Sequence, residues 1–289
     1  MIPRRRLLSL LPASAALAGC GPADLLNATV PRRGYRLVAD IAYGDDPRRR
    51  LDVYEPTRPD ASRTVVCFFY GGGWNSGGRG DYLFVAQALA DSGYLVVVPD
   101  YRLWPEVRFP AFVEDGAAAV AWIRANIAIH GGDPARIVLA GHSAGAHTAL
   151  MLAAGTPYLA RAGIDRAAIR GVVGIAGPYD FLPFGTERLR AIFAGAAPAD
   201  TQPINFVTPG LPPALLLHGD ADTTVLPRNT VNLAAAWRAA GNVAETRLYR
   251  DVGHIGVVTA FSAAFRERAP TLADTLAFLR RPDGAAPPS

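Results

Sequence analysis

The chain has 289 residues, of which 50% are hydrophobic and 19% charged, enough apolar material for one large domain or two small ones. That composition excludes a disordered chain, a collagen and a disulfide-stapled miniprotein, and no apolar run is long enough to cross a bilayer as a helix. The formal charge is +4, but no acid lies in residues 1–19, so losing Arg4, Arg5 and Arg6 with a leader takes +4 to +1 and leaves no electrostatic case for nucleic acid.

Every basic side chain is arginine, which excludes Schiff-base chemistry and a P-loop lysine. Residues 1–20 run MIPRRRLLSLLPASAALAGC: a basic start, an apolar stretch from Leu7 to Ala18, then small residues. This is the pattern of an export signal. Leu17-Ala18-Gly19-Cys20 resembles the lipobox of bacterial lipoproteins, which implies removal of residues 1–19 and a lipid on Cys20. On that resemblance the protein is anchored to the membrane through Cys20 and faces the periplasm or the cell surface; the alternative is an ordinary secretory signal with an incidental cysteine. Arg4-Arg5 before Leu7-Leu8 also resembles a weak twin-arginine signal. Residues 20–34 read as a tether, 35–281 as the folded domain and 282–289 as a flexible tail.

Along the domain, short β-rich runs alternate with helical patterns. Tyr35–Tyr43 and Arg49–Tyr54 read as strands joined by the turn Gly44-Asp45-Asp46-Pro47. Thr64–Tyr70 is a continuous apolar strand, with Cys67 as a buried thiol. Then come a helix at Tyr82–Asp91, a strand at Tyr94–Pro99, a helix at Phe112–Ile129, a strand at Arg136–Ala140, a helix at His142–Ala154 and a strand at Gly171–Ala176. Pro178–Pro213 has no clean period and reads as a small cap or a loop lining a pocket. Ala214–Leu217, Asn229–Ala240, Glu245–Tyr249 and Val257–Leu279 complete the series as strand, helix, strand and helix. The rhythm predicts an α/β fold: one mostly parallel, doubly wound sheet of eight strands with helices on both faces.

Gly141-His142-Ser143-Ala144-Gly145 is a G-x-S-x-G pentapeptide between an apolar strand and an apolar helix. A sharp strand-to-helix turn there exposes the serine hydroxyl at a helix N-terminus. A serine needs a base, and His254 is the candidate, in Asp251-Val252-Gly253-His254 after the last strand, on the sheet edge where the loops at strand carboxyl ends gather. His142 points away from an exposed Ser143, His147 reads as a helix-face residue, His130 as a cap and His218 as the close of a strand. The base needs an acid, and Asp222 is chosen over Asp220 because it stands further beyond the strand end. Asp220 reads as a turn-former, and Asp180 is a distant third. Tyr70-Gly71-Gly72-Gly73-Trp74 ends the third strand. Gly72 and Gly73, with the amide of Ala144, are the candidate oxyanion donors. A flexible loop or phosphate cradle is the alternative, but no lysine and no G-x-G-x-x-G spacing support it. Trp74 and Trp104 are candidate substrate-binding residues, with Phe181 and Phe184 near the same edge, although aromatics here also serve as plain core.

Together these pieces resemble the α/β-hydrolase superfamily over residues 35–280, in the order serine, acid, histidine. The run Pro99-Asp100-Tyr101-Arg102-Leu103, then Pro105-Glu106 and Phe109-Pro110-Ala111, with Gly131-Gly132-Asp133-Pro134, is similar to carboxylesterases of the hormone-sensitive-lipase and feruloyl-esterase-like groups and to kynurenine formamidases. The resemblance implies a serine carboxylesterase with little or no cap, acting on small or aromatic esters through an acyl-enzyme, with no metal or cofactor. An arylformamidase or another amide-cleaving relative is the alternative. Tyr70 stands where those families carry a histidine that supports the glycine loop, and a phenol can supply an equivalent hydrogen bond.

Overall fold

The computed structural model describes residues 22–281, so the leader, Cys20 and residues 282–289 lie outside the described residues. Helix α1 (Pro22–Ala28) comes first. The eight strands are β1 (Tyr35–Ala42), β2 (Arg50–Pro56), β3 (Val65–Phe69), β4 (Leu95–Pro99), β5 (Ile137–His142), β6 (Ile169–Ile175), β7 (Ala214–Gly219) and β8 (Ala244–Tyr249). The helices after α1 are α2 (Leu83–Asp91), α3 (Ala111–Asn126), α4 (Ala144–Ala153), α5 (Tyr158–Arg161), α6 (Glu187–Ile192), α7 (Arg228–Ala239), α8 (His254–Thr259) and α9 (Thr271–Leu279).

The strands form one sheet in the order β1-β2-β4-β3-β5-β6-β7-β8. β1 and β2 are antiparallel, β2 runs antiparallel to β4, and every other pairing is parallel. Branched and aromatic side chains explain the centre: Val65-Val66-Cys67-Phe68-Phe69 and Leu95-Val96-Val97-Val98 are buried along their whole length, as strands covered on both faces must be. β1, at one edge, is largely exposed and carries a register shift between Val38 and Ile41, with Asp40 at φ 60°, which blunts it against further pairing. β8, at the other edge, exposes Arg247. Helix α4 packs on β5 and β6 and against α3, while α2 packs with α8 and α9. Gly116 of α3 lets the helices close up, since a Cβ there would stand 2.9 Å from Thr148.

Two features differ from the sequence expectation. The segment 257–279 is not one helix but α8, a 3₁₀ segment at Ala263–Arg268 and α9. Pro270 explains the break before α9: it has no N–H to give the preceding turn, and its ring excludes continuous helix, so α9 restarts behind it. The described part of the expected tether is folded onto the domain: α1 touches α2, the Asn27 amide donates to Gly80 O at 2.8 Å, and Val30 is buried. Residues 178–213 hold α6, which the Thr186 hydroxyl caps at the Leu189 amide, and two 3₁₀ turns rather than a separate cap domain.

Candidate active site

β5 ends at His142 and α4 begins at Ala144, so Ser143 alone makes the turn, at φ 54° and ψ −121°. A non-glycine residue there costs about 1–3 kcal/mol, which the surroundings must hold in place. The Ser143 amide donates to Ile175 O at 2.9 Å, tying the turn to the end of β6. The flanking glycines leave no room for side chains: a Cβ on Gly145 would lie 2.1 Å from Phe69 O, and one on Gly141 would lie 2.4 Å from the Gly145 carbonyl. Of residues 141–150 only Ser143 is not buried.

The loops after β7 and β8 bring the other two groups. Ser143 Oγ donates to His254 Nε2 at 2.9 Å, and His254 Nδ1 donates to Asp222 Oδ2 at 2.7 Å. Asp222 is 2% exposed and takes three further donors: His218 Nε2 on Oδ2 at 3.1 Å, and the amides of Thr224 and Val225 on Oδ1 at 2.9 Å each. Burial alone would push its pKa up, but the hydrogen bonds from His218, His254 and Val225 outweigh burial and hold the carboxyl well below the usual range. Asp220 does not reach the imidazole; its Oδ1 accepts the Asp251 amide at 2.7 Å and so stitches the two loops together. Asp180 accepts from Asn232 Nδ2 instead.

The glycine turn lies on the same edge. Gly72 O accepts the Asn75 and Ser76 amides and the Ser76 hydroxyl, with Gly72 at φ 138° and Gly73 at φ 58°. Among the described residues no acceptor takes the amides of Gly72, Gly73 or Ala144. Three free backbone donors near an activated hydroxyl can receive the negative oxygen of a tetrahedral intermediate. Beneath them the Tyr70 ring stacks on Tyr101 at 4.5 Å. Arg48 Nη2 donates to the Tyr70 hydroxyl at 3.0 Å and also to Gly77 O, so a tyrosine–arginine pair braces the turn.

The two tryptophans separate. Trp74 is 3% exposed and packs among Phe112, Phe193, Phe181 and His147, so it belongs to a buried aromatic cluster at the foot of the glycine turn rather than to an open wall. Phe181 and Phe184 are partly buried against that cluster. Trp104 borders a cavity of about 580 Å³ shared with Arg48, Asn75 and Arg102, beside the glycine turn. His147 is fully buried: its Nε2 donates to Thr201 O at 2.8 Å, and desolvation pushes its pKa down to about 4. His130 closes a 3₁₀ turn ahead of Gly131 and pairs with Glu55 at 2.7 Å. Cys67 is buried, and burial pushes its thiol pKa up. Among the described residues no group of three or more His, Cys, Asp or Glu is placed to hold a metal.

Sequence reasoning missed His218 and Tyr82. The local pattern places His218 only at a strand end, yet it donates to Asp222, with its Nδ1 on Thr230 Oγ1 at 2.8 Å. Tyr82 contacts His142 at 2.8 Å. The only signal for His218 was its place four residues before Asp222; nothing in the local pattern marked Tyr82.

The BD-FAE family model matches residues 51–237. The isoprenylcysteine alpha-carbonyl methylesterase ICME of Arabidopsis thaliana is 31% identical over 74% of this chain and 55% of its own length. Esterase LipC of Mycobacterium tuberculosis is 36% identical over 64% of this chain and 51% of its own length, so the chain spans about half the length of these curated relatives. Among solved structures, the apo form of Thermogutta terrifontis esterase 2 superposes with a TM-score of 0.70 at 27% identity, over 85% of this chain and 94% of that one. A truncated carbohydrate esterase from gut microbiota shares the fold, with a TM-score of 0.73 at 21% identity over 86% and 97% of the two chains.

Proposed function

The chain belongs to the BD-FAE family and has the α/β-hydrolase fold of its esterase relatives, and from that premise we propose that it is a serine carboxylesterase acting through Ser143, His254 and Asp222. As Ser143 Oγ attacks the ester carbonyl carbon, its proton passes to His254 Nε2, and the carbonyl π electrons move onto oxygen. The amides of Gly72, Gly73 and Ala144 receive that oxyanion, each donor lowering the barrier by about 3–4 kcal/mol. Asp222 holds Nδ1 protonated, so the neutral ring presents its lone pair to the serine, and it stabilises the imidazolium that follows. Nε2–H then protonates the departing alkoxide as the C–O bond breaks, leaving an acyl-serine. Water attacks the acyl carbon while His254 takes its proton, and that proton returns to Ser143 as the acid leaves.

The observation that carries this proposal is the unbroken line from Ser143 Oγ to His254 at 2.9 Å and on to Asp222 at 2.7 Å. Thermogutta terrifontis esterase 2 is known with propionate and with butyrate bound, and phosphorylated by paraoxon. For this protein we propose small acyl groups as substrates, with aromatic esters admitted at the open edge. Export and lipidation at Cys20 complete the proposal on the residues of the leader alone. Ser143→Ala tests the chemistry: hydrolysis of p-nitrophenyl acetate falls to background in a protein that still folds, and retention of near-normal turnover would reject the assignment.

A further inference from the structure

His142 and Tyr82 are given no part in the steps above, yet they stand between the two halves of the machinery. Tyr82 closes the 3₁₀ turn Arg79–Tyr82 just beyond the glycine loop. Its own hydroxyl donates to His142 Nδ1 at 2.8 Å. His142 Nε2 donates to the backbone carbonyl of His254 at 3.1 Å, and the two imidazole rings lie 4.8 Å apart. The closeness shows again at Gly71, where a Cβ would stand 2.9 Å from both Tyr82 Oη and His142 Nδ1.

The donors and acceptors run in one direction only. Tyr82 O–H gives to His142 Nδ1, and Nε2–H gives to His254 C=O. A single neutral tautomer of His142 satisfies both bonds; a second proton on Nδ1 would confront the tyrosine hydroxyl with another donor. The ring is 1% exposed, and burial, with His254 close by, pushes its pKa down to about 3. His142 therefore stays neutral and correctly oriented from neutral pH down through the mildly acidic range.

We propose that Tyr82 and His142 form a positioning bridge that fixes the backbone of His254 relative to the glycine loop, so that the base and the oxyanion donors keep one register around Ser143. This rests on the serine esterase proposal and adds two residues to it. Neither touches substrate; they act through the placement of Gly71 and His254. The strand end makes this possible: β5 delivers His142 and Ser143 in succession, the one turned beneath the site and the other out of it.

The test compares His142→Leu, His142→Gln and Tyr82→Phe with the native protein on p-nitrophenyl acetate, each checked for cooperative unfolding. Misplacing a catalytic group by about 1 Å costs on the order of 100-fold, so His142→Leu lowers kcat by about 10- to 100-fold while KM moves by less than about twofold. His142→Gln, whose amide N–H can still reach the His254 carbonyl, recovers at least about half of that loss on a logarithmic scale. Tyr82→Phe lowers kcat by about three- to tenfold, since His142 Nδ1 loses its donor but the rings remain. The low-field proton resonance of His254 Nδ1–H, present in the native protein and in His142→Gln, shifts or broadens in His142→Leu. A folded His142→Leu protein with native kcat, a glutamine variant no better than leucine, or a loss confined to KM would overturn the bridge. If the native protein neither hydrolyses esters nor reacts with paraoxon, the esterase proposal itself fails and takes the bridge with it; native activity alongside unchanged variants removes the bridge alone.

Discussion

Asp222→Asn is the perturbation whose outcome the geometry fixes most tightly. Oδ1 accepts two backbone amides, from Thr224 and Val225, and Oδ2 accepts His218 Nε2 and His254 Nδ1. An asparagine has one oxygen. The backbone donors cannot turn, so the oxygen stays with them and the NH₂ faces the two histidines. His218 retains Val225 O as an acceptor at 2.8 Å. His254 has no substitute within its loop, so it moves its proton to Nε2 and makes Nδ1 the acceptor. That tautomer offers Ser143 a donor where a base is required. In serine hydrolases the same exchange lowers kcat by about 10⁴-fold, or about 5.5 kcal/mol, and we expect that size here. Asp220→Asn is the control: the amide oxygen still accepts the Asp251 amide, so activity stays within about threefold of native. The assay is kcat/KM on p-nitrophenyl acetate, with thermal unfolding to show that both variants fold. If Asp222→Asn retains more than about a tenth of native activity, or Asp220→Asn loses as much as it does, the tautomer argument is wrong.

Two further outcomes follow. His142 and His147 have folded pKa values pushed to about 3 and about 4 from the usual 6.5, so below pH 6.5 the unfolded chain binds protons that the fold refuses. Their stabilising effect, complete at neutral pH, is lost as pH falls through that window. At about pH 5 each costs about 2 kcal/mol, read as a lower urea midpoint than at about pH 7.5, and an unchanged midpoint would count against their buried neutral state. Cys20→Ala, expressed with its leader in a bacterium, moves the protein from the detergent phase to the aqueous phase on detergent partitioning; native protein found wholly in the aqueous phase would remove the anchor.

Much of this arrangement was legible in the residues because strong local signals coincide. The short β-branched and aromatic runs Val65–Phe69 and Leu95–Pro99 read as two-sided strands, and Gly141 to Gly145 sits where strand becomes helix. Asp222 could be preferred to Asp220 by reach, and it is Asp222 that meets His254. What escaped depends on contacts between distant segments. Trp74 looks like a pocket residue beside the glycines, but its burial is decided by Phe112, Phe181 and Phe193, which arrive from two other segments. His218 and Tyr82 gain their partners only when loops from different strands converge. The break at Pro270 was visible in principle, and the apolar periodicity of 257–279 masked it.

The most direct measurement is reaction of the native protein with paraoxon followed by peptide mass spectrometry. The account predicts loss of esterase activity in step with one diethylphosphoryl group per chain, carried on Ser143, and no stable adduct in Ser143→Ala or fast labelling in His254→Ala. Full inhibition with the adduct on another residue, or an active enzyme that never labels, would contradict it.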